Sequence, residues 1–230
     1  MRAYILLLPV AALLISCSKT STVEPTPETV KAPNVGSTFM YSFYQVDKVG
    51  AKVPGTDNEI ATTILDANLA RNGRSGVWSI RLSSGTTVDT SYMCLDANKD
   101  LLVATELNDG SEMWVRYPIT TGKPFQSSTI SKTEVDGVPA EFRTTITVDT
   151  NGTAPLTVGS ESISTKSYLS TMTIQLVVQG LIVAKVVLKE SAWVSPKLCT
   201  MIQKTALEQD LPNGDKVDGY FQKLKSYSLR

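Results

Sequence analysis

The side chains able to carry covalent or acid–base chemistry form a restricted set. The 230-residue chain contains no histidine. That removes Ser-His-Asp and Cys-His catalysis, imidazole-ligated zinc and the commonest general base near neutral pH. Three cysteines are present, Cys17, Cys94 and Cys199. Among the acidic residues, Glu106, Glu112, Glu134 and Glu141 show no spacing that brings two carboxylates together. A hydrolase built on a carboxylate pair could arise only from tertiary placement. No Gly-x-Ser-x-Gly elbow occurs. The stretch DANKDL, Asp96 to Leu101, starts like a calcium loop, with oxygen-bearing side chains at alternate positions. Leu101 then stands where a glycine is needed, and Leu107 where a bidentate glutamate belongs. A hairpin turn accounts for Asp96, Asn98 and Asp100 without a metal. A second polar cluster, Asp210, Asn213, Asp215 and Asp218, admits the same two readings. No catalytic residue, metal or cofactor is assigned, and the chain is expected not to be an enzyme.

Cys17 closes an apolar run from Ala3 to Ile15 that follows a single positive charge, Arg2. As a helix rising about 1.5 Å per residue, this run is too short for a hydrocarbon core of roughly 30 Å. A charged start, a short apolar middle and small residues at the end make residues 1–16 a signal peptide. An ordinary secretory signal has no need of cysteine. Leu14-Ile15-Ser16-Cys17 resembles the lipobox of bacterial lipoproteins. The resemblance implies cleavage before Cys17, a thioether-linked diacylglycerol on its sulfur and an acyl chain on its new amine. Several acyl chains anchor a protein stably where one would not. In such lipoproteins an aspartate after the cysteine often retains the protein at the inner membrane. Ser18 stands there instead, and Ser18-Lys19-Thr20 is not an acidic surface signal. The implied location is the cell envelope, anchored in the outer membrane and facing the periplasm. The alternative is a plain secreted protein in which Cys17 is incidental. The one Ser-x-x-Lys match, Ser16 to Lys19, straddles the implied cleavage site.

The elements that would position these residues follow. After Cys17, residues 18–34 are Ser, Thr, Pro, Glu and Lys with little apolar relief, so residues 17–34 read as a lipidated cysteine and flexible tether. Residues 35–230 read as a single β domain. Runs rich in Val, Ile, Thr, Tyr and Phe alternate with period two: Phe39, Tyr41 and Phe43 share a face, as do Trp78, Ile80 and Leu82, and Phe142, Thr144, Ile146 and Val148. The dipeptides Asn72-Gly73, Asp109-Gly110, Asp136-Gly137, Asn151-Gly152 and Asn213-Gly214 read as hairpin turns, and Gln179-Gly180 as another. The expectation is an all-β fold, a strongly curved antiparallel sheet (half-barrel or open barrel) of about ten to eleven strands mostly in sequence order. Cys94 and Cys199 either pair in an oxidising compartment or act as small buried hydrophobes.

The segments VGSTFMYSFY, YPITTGKPF, SAWVSPKLCTMIQKTA and LKSYSL resemble landmarks of a group of β-rich periplasmic lipoproteins. The curved sheet of that group is similar to the half-barrel of the lipoprotein-carrier (Lol) proteins. The resemblance implies a bent sheet with an apolar concave side, and it carries over no catalytic residue. The helices that plug the carrier half-barrel have no counterpart in this sequence, so it does not imply a closed lipid pocket.

Equal numbers of basic and acidic residues, 22 of each, give no electrostatic footprint for nucleic acid. The expected partners are the membrane, through the N-terminal lipid, and an apolar ligand or another envelope protein held by the curved sheet. The alternative is a glycan-binding accessory lipoprotein in which Trp114, Tyr117 or Trp193 stacks on sugar rings. The same aromatic residues could equally pack in the core or rim.

Overall fold

The computed structural model describes residues 30, 32–107, 111–211 and 214–230. The signal segment, Cys17, most of the expected tether, the Asp109-Gly110 turn and Asn213 lie outside the described residues.

All regular structure among the described residues is β. The first half of the chain forms β1 (Thr38–Val46), β2 (Asn58–Arg71), β3 (Arg74–Ser84), β4 (Thr87–Leu95), β5 (Leu101–Glu106) and β6 (Glu112–Tyr117). The second forms β7 (Phe125–Val135), β8 (Val138–Val158), β9 (Glu161–Val178), β10 (Leu181–Ser195), β11 (Thr200–Ala206) and β14 (Gly219–Ser228). A two-residue pair, β12 (Gln209–Asp210) and β13 (Lys216–Val217), sits between β11 and β14. The main sheet has twelve strands in the order β6-β5-β4-β3-β2-β1-β14-β11-β10-β9-β8-β7, slightly more than the ten or eleven expected. Two meanders are joined by the pairing of β1 with β14, which brings Thr38 opposite Ser228. The outermost strands, β6 and β7, are consecutive in the chain, so the sheet curls until its two edges approach each other. Across that seam the Arg116 guanidinium lies 5.5 Å from the centre of the Phe125 ring and donates to the Pro124 carbonyl at 3.4 Å. The result is a nearly closed antiparallel barrel.

Alternation decides which side chains enter it. Phe39 and Tyr41, Thr62 and Ile64, Trp78 and Ile80, Val115 and Tyr117, and Ile146 and Val148 are all buried. Three of the expected hairpin turns form as read. Asn72-Gly73, Asp136-Gly137 and Gln179-Gly180 all take positive φ at both residues, as a two-residue hairpin matched to strand twist requires.

Asn151-Gly152 is not a turn. It lies inside β8, where the pairing with β9 shifts register between Thr150 and Thr153. Gly152 has φ of 108° there, and the hairpin closes instead at Gly159-Ser160. A bulge bends a strand pair, and this one swings the distal β8–β9 arm beneath one pole of the barrel. Val158 and Ile163 on that arm join the core. Glu161 near its tip accepts a hydrogen bond from Tyr227 on β14 and pairs with Lys197 at 3.2 Å. Val30 and Ala32 pack against the same core, and Pro33 is buried. Packing of the domain therefore begins inside the segment that the sequence assigns to the tether. Asn34 bonds the Arg230 carbonyl, and the Arg230 amide donates to Ser37 Oγ at 3.2 Å. The described N- and C-terminal ends meet at this closed pole.

A second bend covers part of the outer face. Register shifts between Ile64 and Arg71 bend β2, and its end lies over the outside of the neighbouring strands. Arg71 there forms an ion pair with Glu112 of β6 and lies 3.7 Å from the centre of the Tyr92 ring. Beneath it Val77, Cys94 and Leu102 form a separate buried cluster. Cys199 belongs to the interior core instead. Cys94 thus lies in the outer cluster, whereas Cys199 sits in the turn before β11 against the interior core; both are buried and no disulfide joins them. Burial raises the Cys94 pKa, against the pull of nearby Arg74.

At the opposite pole the chain makes one close crossing. A Cβ placed on Gly219 would sit 2.2 Å from the Glu208 amide nitrogen and 2.5 Å from the Val46 carbonyl oxygen. Both obstacles are backbone, so neither can rotate away. Gly219→Ala is expected to cost about 2–3 kcal/mol in chemical denaturation. Gly85→Ala, with nothing within 4 Å of the added carbon, is expected to cost only the roughly 1 kcal/mol of a left-handed backbone.

Candidate functional site

The interior is filled at one pole and hollow towards the other. At the closed pole Phe39, Tyr168, Leu198, Ile202 and Leu224 are fully or almost fully buried. Towards the open pole the inward positions are smaller or more polar: Ser91 on β4, Thr105 on β5 and Ser170 on β9. Small side chains on a curved wall leave space, and a cavity of about 410 Å³ results. Trp78, Ile80, Met93, Val103, Val115, Met172 and Leu188 make most of its wall apolar. At its mouth Leu207 and Asp218 are exposed, whereas Phe39, Ile64 and Pro33 at the far end are buried. Access is therefore from the pole opposite the termini.

One patch of this wall is charged. Inward positions on β10 run Leu188, Glu190, Ala192, Val194, so a carboxylate stands on an otherwise apolar face. On the neighbouring β11 the inward series Ile202, Lys204, Ala206 places an ammonium beside it. Lys204 Nζ lies 3.0 Å from Glu190 Oε2, with the two side chains 26% and 19% exposed. Tyr220 of β14 donates to Glu190 Oε2, and Tyr117 reaches across from β6 to Oε1 at 3.5 Å. The Tyr117 ring also meets Tyr168 edge-on at 5.6 Å. Tyr41 on β1 donates to the Met201 carbonyl at 3.1 Å, with Thr200 Oγ1 3.0 Å away.

This arrangement controls the charge states. Burial alone would favour the neutral amine of Lys204, but Glu190, aided by Tyr117 and Tyr41, outweighs it and raises the Lys204 pKa above 10.5. Burial, then the adjacent Glu190 charge, pushes the hydroxyls of Tyr117 and Tyr220 well above their ordinary value. Burial pushes Tyr41 up to about 12, against the hydrogen bond with Thr200. Lys204 thus keeps its charge and the phenols stay neutral across the physiological range. The site offers an apolar volume with hydrogen-bonding groups on one side.

The structure separates the aromatic residues singled out from sequence. Tyr117 faces the cavity. Trp114, between inward Met113 and Val115, faces outward, with Arg74 5.2 Å from its ring centre. Trp193, between buried Ala192 and Val194, also faces outward and is half-buried. They do not form one platform. The acidic candidates are dispersed as well. Glu112 binds Arg71, and Glu141 binds Arg143. The cavity wall carries two acidic residues, Glu190 and Asp218, and Asp218 accepts from Gln45 Nε2 at 2.9 Å. Asp96 accepts the amides of Asn98 and Asp100, while Asp100 accepts those of Thr120 and Thr121 and the Thr121 hydroxyl. The DANKDL stretch thereby fastens the loop that joins β6 to β7. Asp210 pairs with Lys48 at the open pole, which lowers its pKa.

Sequence reading missed Glu190 and Lys204. The available signal was parity: a charged residue in phase with an apolar face.

No protein-family model matches the chain, and no curated protein matches it by sequence. The fold and cavity define a class all the same, a nearly closed antiparallel barrel with an apolar interior. Its fold is similar to that of a solved protein from Parabacteroides distasonis provisionally described as a lipoprotein, with a TM-score of 0.52 at 8% identity over 88% of this chain and 100% of that one. The hypothetical lipoprotein YmcC from Escherichia coli aligns at a TM-score of 0.36 and 12% identity, over 85% of this chain and 86% of that one.

Two outcomes test the charged wall. Lys204→Met alone strands a buried carboxylate and is expected to cost about 3–5 kcal/mol in chemical denaturation, whereas Lys204→Met with Glu190→Met is expected to be neutral or stabilising. The second concerns alkali. A hydroxyl raised from 10.0 to about 12 by folding contributes fully below pH 10 and loses that contribution as pH rises towards 12. Tyr41→Phe is expected to flatten the fall in stability over that window by about 2–3 kcal/mol, measured by urea unfolding at successive pH values.

Proposed function

We propose that this chain is a lipid-anchored cell-envelope protein that works by binding an apolar ligand inside its barrel, without turnover. The observation that carries the proposal is the 410 Å³ apolar cavity open at one pole, within the range of volumes that hold small-molecule ligands. Glu190 is engaged by Lys204 and two tyrosines, an arrangement that suits a fixed polar contact better than proton transfer. The anchor rests on Leu14-Ile15-Ser16-Cys17. It gains support from the fold shared with the Parabacteroides distasonis protein described as a lipoprotein. Ser18 in the position after the cysteine favours the outer membrane, facing the periplasm.

Native mass spectrometry of the full chain isolated from its own host is expected to show a retained apolar small molecule. The pair Thr105→Trp and Ser91→Trp, which fills the cavity from β5 and β4, is expected to abolish retention while leaving the circular dichroism spectrum unchanged. Retention that survives the filled cavity would place the ligand elsewhere and remove the proposal's support. Cys17→Ser is expected to move the protein from the membrane fraction to the soluble fraction, and persistence in the membrane would rule out the lipid anchor.

A further inference from the structure

We infer that the ligand is a single-chain acyl compound whose uncharged hydrogen-bond acceptor, an ester or amide carbonyl, docks on Lys204 beside Glu190. The inference rests on the reading of the cavity as a ligand site and specifies the ligand's chemistry. Volume sets the number of chains. A methylene occupies about the space of a water molecule in the liquid, roughly 30 Å³. A cavity of 410 Å³ therefore takes one chain of roughly a dozen carbons. A second chain of that length would need about twice the space. A diacyl or triacyl lipid does not fit whole.

Charge sets the head. An ammonium has three N–H donors, and among the described residues the polar partner of Lys204 is Glu190. Donors are left over on a side chain that lines the cavity. The phenol protons of Tyr117 and Tyr220 are already directed at Glu190, so those groups can accept from a ligand but cannot neutralise an anion. Lys204 and Glu190 together carry no net charge. A carboxylate placed on Lys204 would leave one uncompensated negative charge in a mostly apolar enclosure, at a cost of several kcal/mol. A carbonyl oxygen takes the free donor and adds no charge. Monoacylglycerols and lysophospholipids both present this group, the second with a charged head that would extend out of the mouth.

The test is photolabelling of the full chain in phospholipid nanodiscs with dodecyl-chain probes that carry a diazirine at the chain end. The probes are a monoacylglycerol, a lysophosphatidylcholine, the free fatty acid at pH 8, a plain alkane and a diacyl phosphatidylcholine. Adducts are mapped by mass spectrometry to residues such as Met93, Met172 and Met201. The expected result is cavity labelling by one or both ester probes at least about fivefold above the acid, the alkane and the diacyl lipid. Whichever ester labels more strongly identifies the source. In Lys204→Met with Glu190→Met, a variant expected to keep its fold, the advantage of the esters over the alkane is expected to disappear. Equal labelling by the acid, equal labelling by the diacyl lipid, or an ester advantage that survives the double substitution overturns this inference and leaves the cavity a ligand site. Adducts confined to the outer surface with every probe overturn both.

Discussion

A broad antiparallel sheet with one apolar face buries that face by curling onto itself, because flat sheets of this width are unfavourable and twist is intrinsic to L-residues. Curling leaves problems that the rest of the structure has to solve: an open end, a seam and an uncovered outside. The bulge at Thr150–Thr153 turns a hairpin into a floor. Arg116 spans the seam to Pro124 and Phe125. The bent end of β2 roofs Val77, Cys94 and Leu102. The first and last are local irregularities in pairing, and each hides apolar surface that regular pairing would leave wet.

The remaining pole is left hollow by composition. Where Phe39, Tyr168 and Leu198 project inward the barrel is solid, and where Ser91, Thr105 and Ser170 do so it is empty. An apolar void without ligand forfeits dispersion contacts on one side of every lining atom. A buried ion pair seldom adds stability over an apolar pair of similar size. A wall that combines both features is badly chosen for stability and well chosen for holding a molecule. The tyrosines that ring Glu190 fix its carboxylate in place, so Lys204 keeps a defined position as well.

Much of the fold was legible because alternation with period two is a direct record of which face is buried. The faces of β1, β3 and β8 read from Phe39–Tyr41, Trp78–Ile80 and Ile146–Val148 are the buried ones, and Asn72-Gly73, Asp136-Gly137 and Gln179-Gly180 close the hairpins expected of them. Asn151-Gly152 was misread because a bulge and a turn ask for the same backbone freedom; only the pairing of Thr150 and Thr153 with β9 tells them apart. The charged wall was hidden for a different reason. Glu190 and Lys204 lie fourteen positions apart in the chain, and their meeting depends on the register of β10 against β11. That register carries its own bulge at Trp193–Val194. The aromatic residues that looked most like a binding surface, Trp114 and Trp193, fall on the outward parity, and Tyr117 is the one that turns inward.

Val30, Ala32 and Asn34 lie with Arg230 at the sealed end, so the molecule is a cup held by its foot. Whatever is fastened to that foot, the brim with Leu207 and Asp218 points away from it. On the ligand-binding reading proposed above, exchange with the cavity takes place at the brim, on the side of the molecule away from the foot.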